Sequence, residues 1–263
     1  SIECRWLDLK KIPIWIHSKG YLVRDDNMKP LYMIGCVNEI GKRQKADNVS
    51  GLLGESGFRE YMNQLDTPLE TGYLLRIGID HFKEINDNFG QEYGDFVLKK
   101  TAECISGCTS EGQKVYKLVA DEFLILDVAS DEAKDADKLY DKVREAIDRF
   151  IETNEFKVMY TVSGGIVPFA ALKGNQCSEA LKLTDFALNE AKKLGRNRCY
   201  IFNGETYRKF LRKREITQEL REAVINGFQG FTAFYQPVFA EDKKVPYGAE
   251  ALMRFTSEKL GMI

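Results

Sequence analysis

Residues 114–128, with the sequence KVYKLVADEFLILDV, constrain the fold of this chain more than any other stretch. Two runs rich in β-branched, aromatic and large apolar residues flank a short polar break, and such runs favour strands. We therefore predict a β-hairpin with strands over 115–118 and 123–128, which places Asp121 and Glu122 at its tip. Two adjacent carboxylates on a turn can bind a divalent cation or polarise a hydroxyl group, although a solvated acidic turn has the same composition.

The segments around this hairpin predict alternating strands and helices. In chain order they are a strand at 73–79, a helix at 98–108, the hairpin, a helix at 130–152, a strand pair at 156–167 with Gly164 and Gly165 at a bulge or close approach, a helix at 178–194 that ends at Gly195, and a strand at 199–202. This alternation of strands and helices around a hairpin predicts an α/β fold, an α+β sandwich in which helices flank a central mixed β-sheet.

Four blocks of sequence resemble the GGDEF domain family, the fold of diguanylate cyclases. They are DHFKEINDNFGQEYGD after the first predicted strand, VADEF at the hairpin tip, SGGI, and ALNEAKKLGRNR. The blocks occur in the family's order and cover roughly residues 50–204. The resemblance implies a nucleotide-cyclase-like fold for a domain at residues 48–204.

Three positions depart from the pattern of active family members. Where those proteins have a metal-binding aspartate this chain has Gly78, and the two motif glycines are Val119 and Ala120. Glycine supplies no ligand, and a β-branched residue resists positive φ. Phosphoryl transfer depends on positioned metal ions. The resemblance therefore predicts a degenerate site that makes no cyclic di-GMP, with Asp121 and Glu122 as catalytic vestiges and Asp121 as a weak metal ligand.

Four other residues match the family's nucleotide-binding positions. By the resemblance Asn86 and Asp95 hydrogen-bond guanine, and an amide beside a carboxylate suits a base edge with donors and acceptors. Phe82 and Lys83 match residues that contact the triphosphate. Asp95 could instead cap a helix that begins near Phe96.

Lys192 and Arg196 match residues that hold phosphates in the family. Their i,i+4 spacing predicts that both lie on one face of a helix, although they could instead interact with the dipole at its C-terminus. The resemblance implies GTP or another guanine nucleotide as a ligand, with Mg²⁺ or Mn²⁺ if a nucleotide binds and no cofactor otherwise. The product-inhibition motif of the family would fall at Ser110 and Gln113 and is absent.

Residues 1–47 predict a β-rich N-terminal extension. Its predicted elements are strands at 3–16, 21–24 and 30–37, turns at 19–20 and 25–27, and a helix at 40–47. The run DDNMKPLYMIGCVNEI is similar to the closing half of a PAS domain, which implies a sensory part followed by a signalling helix. The alternative is a β-appendage without a sensory role.

The C-terminal part predicts a charged linker helix at 205–227 and the start of another domain at 228–263. The runs YQPV and GAEALMR resemble the first two strands of an EAL domain, the cyclic di-GMP phosphodiesterase barrel. By that resemblance Glu250 is a metal ligand in the full-length barrel, and Gln236 and Arg254 contact the dinucleotide. Such a barrel needs about 250 residues. We therefore expect this piece to lack phosphodiesterase activity and to be disordered or paired with another chain.

Composition excludes several classes of function. The net charge of −2 gives no reason to expect a nucleic-acid partner, and no apolar run approaches the ~18 residues of a membrane helix. The six cysteines form no C-x-x-C pair, which is typical of reduced core thiols. Without a signal peptide or an initiator Met, the sequence indicates a fragment of a longer, cytoplasmic bacterial protein.

These predictions combine into one hypothesis with two alternatives. The hypothesis is a cyclic di-GMP signalling protein whose inactive GGDEF domain regulates a downstream EAL phosphodiesterase through GTP binding or self-association. The first alternative is an active diguanylate cyclase, which makes cyclic di-GMP from two GTP molecules and uses Asp80 in place of the missing ligand. The second alternative is a purely structural interaction domain.

Overall fold

The computed structural model describes residues 2–7, 13–25, 27–39, 46–65, 69, 71–130, 133–153, 158–174, 176–239 and 244–263. The chain divides into two compact units, Ser1–Phe202 and Asn203–Ile263. Within the described residues, no helix combines the length and the apolar character needed to cross a membrane.

The larger unit contains a six-stranded sheet and five helices in its described residues. The strands are β4 (Leu53–Gly54), β5 (Tyr73–Ile79), β6 (Gln113–Lys117), β7 (Glu122–Asp127), β8 (Val162–Pro168) and β9 (Cys199–Ile201). The helices are α1 (Glu55–Asn63), α2 (Phe82–Phe89), α3 (Gln91–Cys108), α4 (Ala133–Thr153) and α5 (Cys177–Lys193). From β5 onward the element order is β-α-α-β-β-α-β-α-β, in which α2 is an additional helix before the predicted one and β8 is a single strand.

The strand order in this sheet is β4-β6-β7-β5-β8-β9. β4 runs parallel to β6 and β9 runs parallel to β8, whereas the other neighbours are antiparallel. The predicted hairpin is present as β6 and β7, with Lys117 paired to Phe123 next to the turn. The predicted fold class, an α/β sandwich around a central mixed sheet, is therefore confirmed.

The side chains of β5 alternate between the two faces of the sheet. Leu75 and Ile77 lie in a core that the sheet forms with α2, α3 and α4. Leu74 lies in the second core, with α1 and α5 on the opposite face. By the same alternation, Arg76 and Gly78 belong to the face that α5 covers.

Two glycines of β8 allow this close packing. A Cβ at Gly164 would lie 2.7 Å from the Tyr140 ring, and one at Gly165 would collide with the α5 backbone, 2.7 Å from the carbonyl carbon of Ala187. The predicted close approach is therefore confirmed, and the pairing of β8 with β5 is continuous, without a bulge.

The prediction of a strand pair at 156–167 is wrong within the described residues. β8 begins only at Val162, and residues 158–161 form no strand. The carbonyl of Thr161 instead accepts a hydrogen bond from the Asp80 backbone N–H at 2.8 Å, which ties the segment to the loop after β5. Residues 154–157 lie outside the described residues.

The N-terminal extension forms an antiparallel sheet of β1 (Ile2–Leu7), β2 (Pro13–Arg24) and β3 (Pro30–Glu39). The predicted turn at 19–20 is wrong, because β2 continues through it and Gly20 pairs with Gly35. A Cβ at Gly35 would lie 2.6 Å from the Lys19 carbonyl oxygen, so the glycine serves a close approach of two strands.

The predicted turn after β2 is present. The Asp25 carboxylate accepts hydrogen bonds from the backbone N–H groups of Asn27 and Lys29, at 3.0 and 2.9 Å. Residues 40–45, which cover most of the predicted signalling helix, lie outside the described residues.

The smaller unit consists of α6 (Gly204–Ile225) and an antiparallel sheet of β10 (Phe231–Phe239), β11 (Pro246–Ser257) and β12 (Gly261–Met262). The predicted linker helix corresponds to α6, whose N-terminus Asn203 caps by accepting from the N–H groups of Glu205 and Thr206. The expectation that residues 228–263 are disordered is wrong for residues 228–239 and 244–263, where β10 and β11 pair along their length. Their pairing with another chain stays a prediction.

The packing of α5 on β8 predicts the effect of two alanine substitutions. Gly165→Ala is expected to lower the free energy of unfolding by about 3 kcal/mol, because its methyl group meets backbone atoms that cannot move aside. Gly107→Ala is the control, since this α3 residue faces open space and is expected to raise stability by about 0.5–1 kcal/mol. Urea unfolding monitored by circular dichroism measures both, and equal effects would contradict the packing described here.

Candidate functional site

The hairpin tip between β6 and β7 is a tight turn. The Leu118 N–H donates to the Glu122 carbonyl at 2.8 Å, and Ala120 has a φ of 56°. This left-handed conformation costs an L-residue about 1–2 kcal/mol. The sequence analysis expected a positive φ at both motif positions. Only Ala120 has one, whereas Val119 is exposed and has a negative φ.

A buried lysine, Lys117, stabilises this turn by hydrogen bonds to its backbone. Lys117 Nζ donates to the carbonyl oxygens of Leu118, at 3.1 Å, and Ala120. Burial lowers the pKa of its ammonium group, and the nearby carboxylates of Asp47 and Asp121 oppose that shift. The sequence analysis did not identify Lys117, because it lies within a strand and outside the motif.

Gly78, where the resemblance predicts that a metal ligand is missing, lies next to Glu122 across the sheet. The two residues are paired in the β5–β7 register. A Cβ at Gly78 would lie 3.1 Å from Lys192 Nζ and 3.1 Å from the Leu188 side chain. The structure therefore brings together Gly78, Glu122 and Lys192, and the ammonium group occupies the space into which an acidic side chain at position 78 would extend.

Glu122 is held by an arginine of the same sheet face. Arg76 Nε donates to Glu122 Oε2 at 2.7 Å, and Nη2 contacts the same oxygen. The guanidinium also donates through Nη1 to the Leu181 carbonyl at 3.2 Å and lies 3.5 Å from Asp185 Oδ1. The Arg76 and Glu122 side chains are only 12% and 18% exposed. Glu122 can therefore bind an external cation only by giving up a charged, mostly buried partner.

The sequence analysis did not identify Arg76 either. The sequence does contain a signal that could have identified it. Arg76 is the one charged residue in the otherwise apolar run YLLRIGI, and the two-residue period of a strand puts it on the same face as Gly78.

Asp80 lies in the loop after β5 and is 2% exposed. Its carboxylate accepts hydrogen bonds from the hydroxyls of Thr161 and Ser163, both at 2.7 Å, and from the Asn197 backbone N–H at 3.2 Å. Both of its oxygens are thus used to join three segments of the chain.

The residues present do not fit a divalent cation. Mg²⁺ and Mn²⁺ bind to clustered oxygen ligands, chiefly carboxylates. Glu122 is paired with Arg76, Asp80 is held internally, and Lys192 places a positive charge beside position 78. In the part of the chain that the structure describes, no three acidic, histidine or cysteine side chains are grouped to hold a metal. The role of Asp121 as a weak ligand stays a prediction.

The predicted guanine-binding residues lie on α2 and α3. Asn86 packs against Gly94, at which a Cβ would collide with the amide oxygen. That oxygen is buried without a hydrogen-bond partner, which costs about 1–3 kcal/mol that a ligand donor would recover. Asp95 lies half-buried in the second turn of α3, because Gly90 ends α2 and α3 begins at Gln91. The alternative that Asp95 caps a helix near Phe96 is therefore wrong, and the predicted helix at 98–108 starts seven residues earlier.

Phe82 and Lys83 form the first turn of α2, which follows His81 in the left-handed conformation. The Phe82 ring packs beside Gly94, where a Cβ would lie 3.3 Å from it, and Lys83 is exposed. The two residues therefore lie on the same helix as Asn86.

Lys192 and Arg196 do not share a helix face, so that prediction is wrong. α5 ends at Lys193, and the chain then leaves the helix through Gly195, with a φ of 117°, and Arg196, with a φ of 60°. Gly195 ends the helix as predicted. The Asn197 N–H bonds to Asp80, which ties the segment with Arg196 to the loop after β5.

The predicted EAL residues lie together within the smaller unit. Gln236 pairs with Glu250 across β10 and β11, and Arg254 follows four residues after Glu250, on the same strand face. All three side chains are exposed.

Two cavities lie near the hairpin and α2. One of about 520 Å³ lies on the face of α2 opposite to Asn86, lined by His81, Glu84 and Asp148 among others, and contains none of the predicted binding residues. One of about 300 Å³ lies beside the hairpin tip, lined by Arg76, Val119 and six other residues.

Comparison with known proteins gives both relatives and structures. The chain is 28% identical over 222 residues to the cyclic di-GMP phosphodiesterase NbdA of Pseudomonas aeruginosa, covering 82% of this chain and 28% of that protein. It is 27% identical over 189 residues to the diguanylate cyclase VdcA of Vibrio cholerae, covering 69% of this chain and 55% of that protein. The chain thus spans about a quarter to about half of these relatives.

Solved structures show the same fold. The GGDEF domain of YfiN from Pseudomonas aeruginosa superposes with a TM-score of 0.55 at 24% identity, covering 63% of this chain and 99% of that one. The S helix–GGDEF–EAL structure of Vibrio cholerae LapD has a TM-score of 0.51 at 20% identity, covering 83% of this chain and 51% of that one.

The family match is decisive for the larger unit. The family described as "Diguanylate cyclase, GGDEF domain" matches residues 45–198, more than half of the chain and nearly the whole of the six-stranded sheet with its helices. The chain therefore belongs to the GGDEF domain family.

Proposed function

We propose that this GGDEF domain does not make cyclic di-GMP and acts as a guanine-nucleotide-binding regulatory module in cyclic di-GMP signalling. The observation that carries the proposal is the state of the two metal-ligand positions. Glu122 is bound to Arg76, and Gly78 faces the ammonium group of Lys192. Cyclisation of GTP requires metal ions that neutralise developing charge, and these residues do not provide for them.

An active cyclase is the main alternative. It requires Asp80 to act as the missing ligand, and Asp80 would have to abandon Thr161, Ser163 and Asn197 and leave a site in which it is 2% exposed. Removing the carboxylate would leave the buried Ser163 hydroxyl without its acceptor and would also break the hydrogen bonds from Thr161 and Asn197. The geometry therefore favours the inactive domain over this alternative.

Retained nucleotide binding is supported by the residues at the family's other site positions. Asn86 has a buried amide oxygen that lacks a donor, and Asp95 lies two turns along the neighbouring helix. The positions that hold phosphates in the family carry two cations here, the half-buried Lys192 and the exposed Arg196. The base and phosphate positions thus carry suitable side chains even though position 78 has no carboxylate and Glu122 is paired with Arg76.

The proposed target of regulation is a phosphodiesterase domain that starts at residues 228–263. The exposed Gln236, Glu250 and Arg254 on one sheet face support this assignment, as does similarity to a relative named as a cyclic di-GMP phosphodiesterase. A nucleotide can regulate such a partner only if it binds two arrangements of the protein with different affinity. A sensory role for the PAS-like residues 1–47, self-association and a cytoplasmic location belong to the same proposal.

The first test is a synthesis assay. The purified chain, incubated with GTP and either Mg²⁺ or Mn²⁺, is expected to form no cyclic di-GMP at any protein concentration, because the metal-ligand positions are blocked. Chromatography of the reaction measures the product. Accumulation of cyclic di-GMP in proportion to time and enzyme would refute the inactive domain and favour the cyclase.

The second test restores the metal site. Gly78→Asp alone is expected to bind Mn²⁺ weakly, because Arg76 still holds Glu122 and the new carboxylate meets Lys192. The double variant Gly78→Asp/Arg76→Leu frees both carboxylates and is expected to bind Mn²⁺ at least tenfold more tightly, as measured by electron paramagnetic resonance. Adding Glu122→Gln to the double variant should abolish the gain, and equal affinity in the single and double variants would contradict the blocking role of Arg76.

The third test concerns regulation. In the longer protein with a complete phosphodiesterase barrel, GTP is expected to change the rate of cyclic di-GMP hydrolysis several-fold. An Asn86→Ala/Asp95→Ala variant should remove the GTP effect and keep the basal rate. If GTP binds without changing the rate, the regulatory role is wrong, and if GTP does not bind while the chain still self-associates, the structural interaction domain is favoured.

A further inference from the structure

The larger of the two cavities described above is not used by the proposed nucleotide site. It lies between α2, the C-terminal part of α4 and residues 158–161, and its volume is about 520 Å³. Binding sites for small molecules commonly measure about 300–1,000 Å³ and combine an apolar lining with a few polar groups. This α2–α4 cavity therefore has the size of a ligand site, and the chemistry of its lining indicates which ligand it can take.

The walls of the α2–α4 cavity are held together by Asp80. Its carboxylate accepts hydrogen bonds from the Thr161 hydroxyl at 2.7 Å and the Asn197 backbone N–H at 3.2 Å, and all three residues line the cavity. The Asp80 backbone N–H also donates to the Thr161 carbonyl at 2.8 Å. Three segments that are distant in sequence are thus fixed in one arrangement, so a ligand meets a preformed wall and little binding energy is lost in ordering it.

Carboxylates make up most of the charged lining. They belong to Asp80, Glu84, Asp148 and Glu152, and the described lining contains no lysine or arginine. Glu84 contacts His81 Nδ1 at 2.7 Å. Asp148 and Glu152 are exposed one turn apart on α4, and neither forms an ion pair within the described residues. Like charges at this spacing repel each other, and a cation bound beside them would remove that repulsion.

The rest of the lining favours an organic cation over a metal ion. Divalent cations need clustered oxygen ligands, and in the described part of the chain no three acidic, histidine or cysteine side chains are grouped to hold one. Much of the remaining lining is apolar, and it includes two large side chains that are open to solvent, Phe89 at 45% and Met159 at 85% exposure. Hydrocarbon between separated positive charges matches this surface, since methylene groups cover apolar side chains while the charged ends stay with the acids.

We propose that the α2–α4 cavity binds an extended organic dication, in which a hydrocarbon chain carries an ammonium group at each end. Asp148 and Glu152 on α4 pair with one ammonium group, and Glu84 on α2 pairs with the other. Phe89 and Met159 contact the chain between them. None of these residues belongs to the proposed nucleotide site, so this inference and the proposed function can each fail without the other.

The test is calorimetric titration of the purified chain with diaminopentane, a five-carbon chain with an ammonium group at each end, at low and constant ionic strength. Pentanediol, in which hydroxyl groups replace the two ammonium groups, is the neutral control. The diamine is expected to bind at one site per chain, and the diol at least tenfold more weakly. Absence of diamine binding, or equal binding of the diol, would overturn the inference.

Two double variants locate the site on α4. Asp148→Asn/Glu152→Gln is expected to weaken diamine binding at least tenfold, because it removes two carboxylates of the lining. Asp137→Asn/Glu145→Gln is the matched control, since these acids are also exposed on α4 but lie outside the cavity lining, and it should leave the affinity unchanged. Equal losses would mean that the general negative charge of α4 attracts the diamine, and would overturn the inference.

A third variant tests the cavity without changing a carboxylate. Met159→Lys supplies an ammonium group at the cavity and is expected to weaken diamine binding at least fivefold, because it competes for the same acids. Met159→Gln, which adds no charge, is the control and should change the affinity by no more than about twofold. Equal affinity in the two variants would show that the diamine binds away from this cavity.

Discussion

The ion pair between Arg76 and Glu122 is the interaction on which the character of this site depends. Both side chains lie mostly out of water between the sheet and α5, where an unpaired charge is costly. Glu122 therefore needs a cation, and the neighbouring strand supplies one. The Glu122 charge is thus balanced by a residue of the protein itself, while the hairpin and its turn remain intact.

Much of the architecture could be predicted because it depends on local patterns. The apolar run at 73–79 and the polar break at 119–122 give β5 and the hairpin to within two residues, since side-chain period and turn chemistry act over short distances. Gly195 ends α5 where predicted, because glycine adopts its φ of 117° without strain. The order of elements then leaves few alternatives to the observed sandwich.

The errors occur where residues far apart in sequence decide the local structure. Glycine at position 20 is typical of a turn, but Gly20 lies within β2 because it pairs with Gly35 on the next strand. Thr161 belongs to an apolar run, but Asp80 holds it in a loop. Arg76 escapes motif matching because its importance comes from a partner, Glu122, that is 46 residues away. Partners across a sheet can be inferred only once the register is known.

The Arg76–Glu122 pair also links the side chains that positions 76 and 78 can accept. If Arg76 alone is replaced, the Glu122 carboxylate is left without a partner in a poorly hydrated place. If an acid alone is introduced at position 78, its side chain meets Leu188 and Lys192 and does not bind a metal ion. Changing either position alone therefore does not produce a free pair of carboxylates at this place, and positions 76 and 78 have to change together.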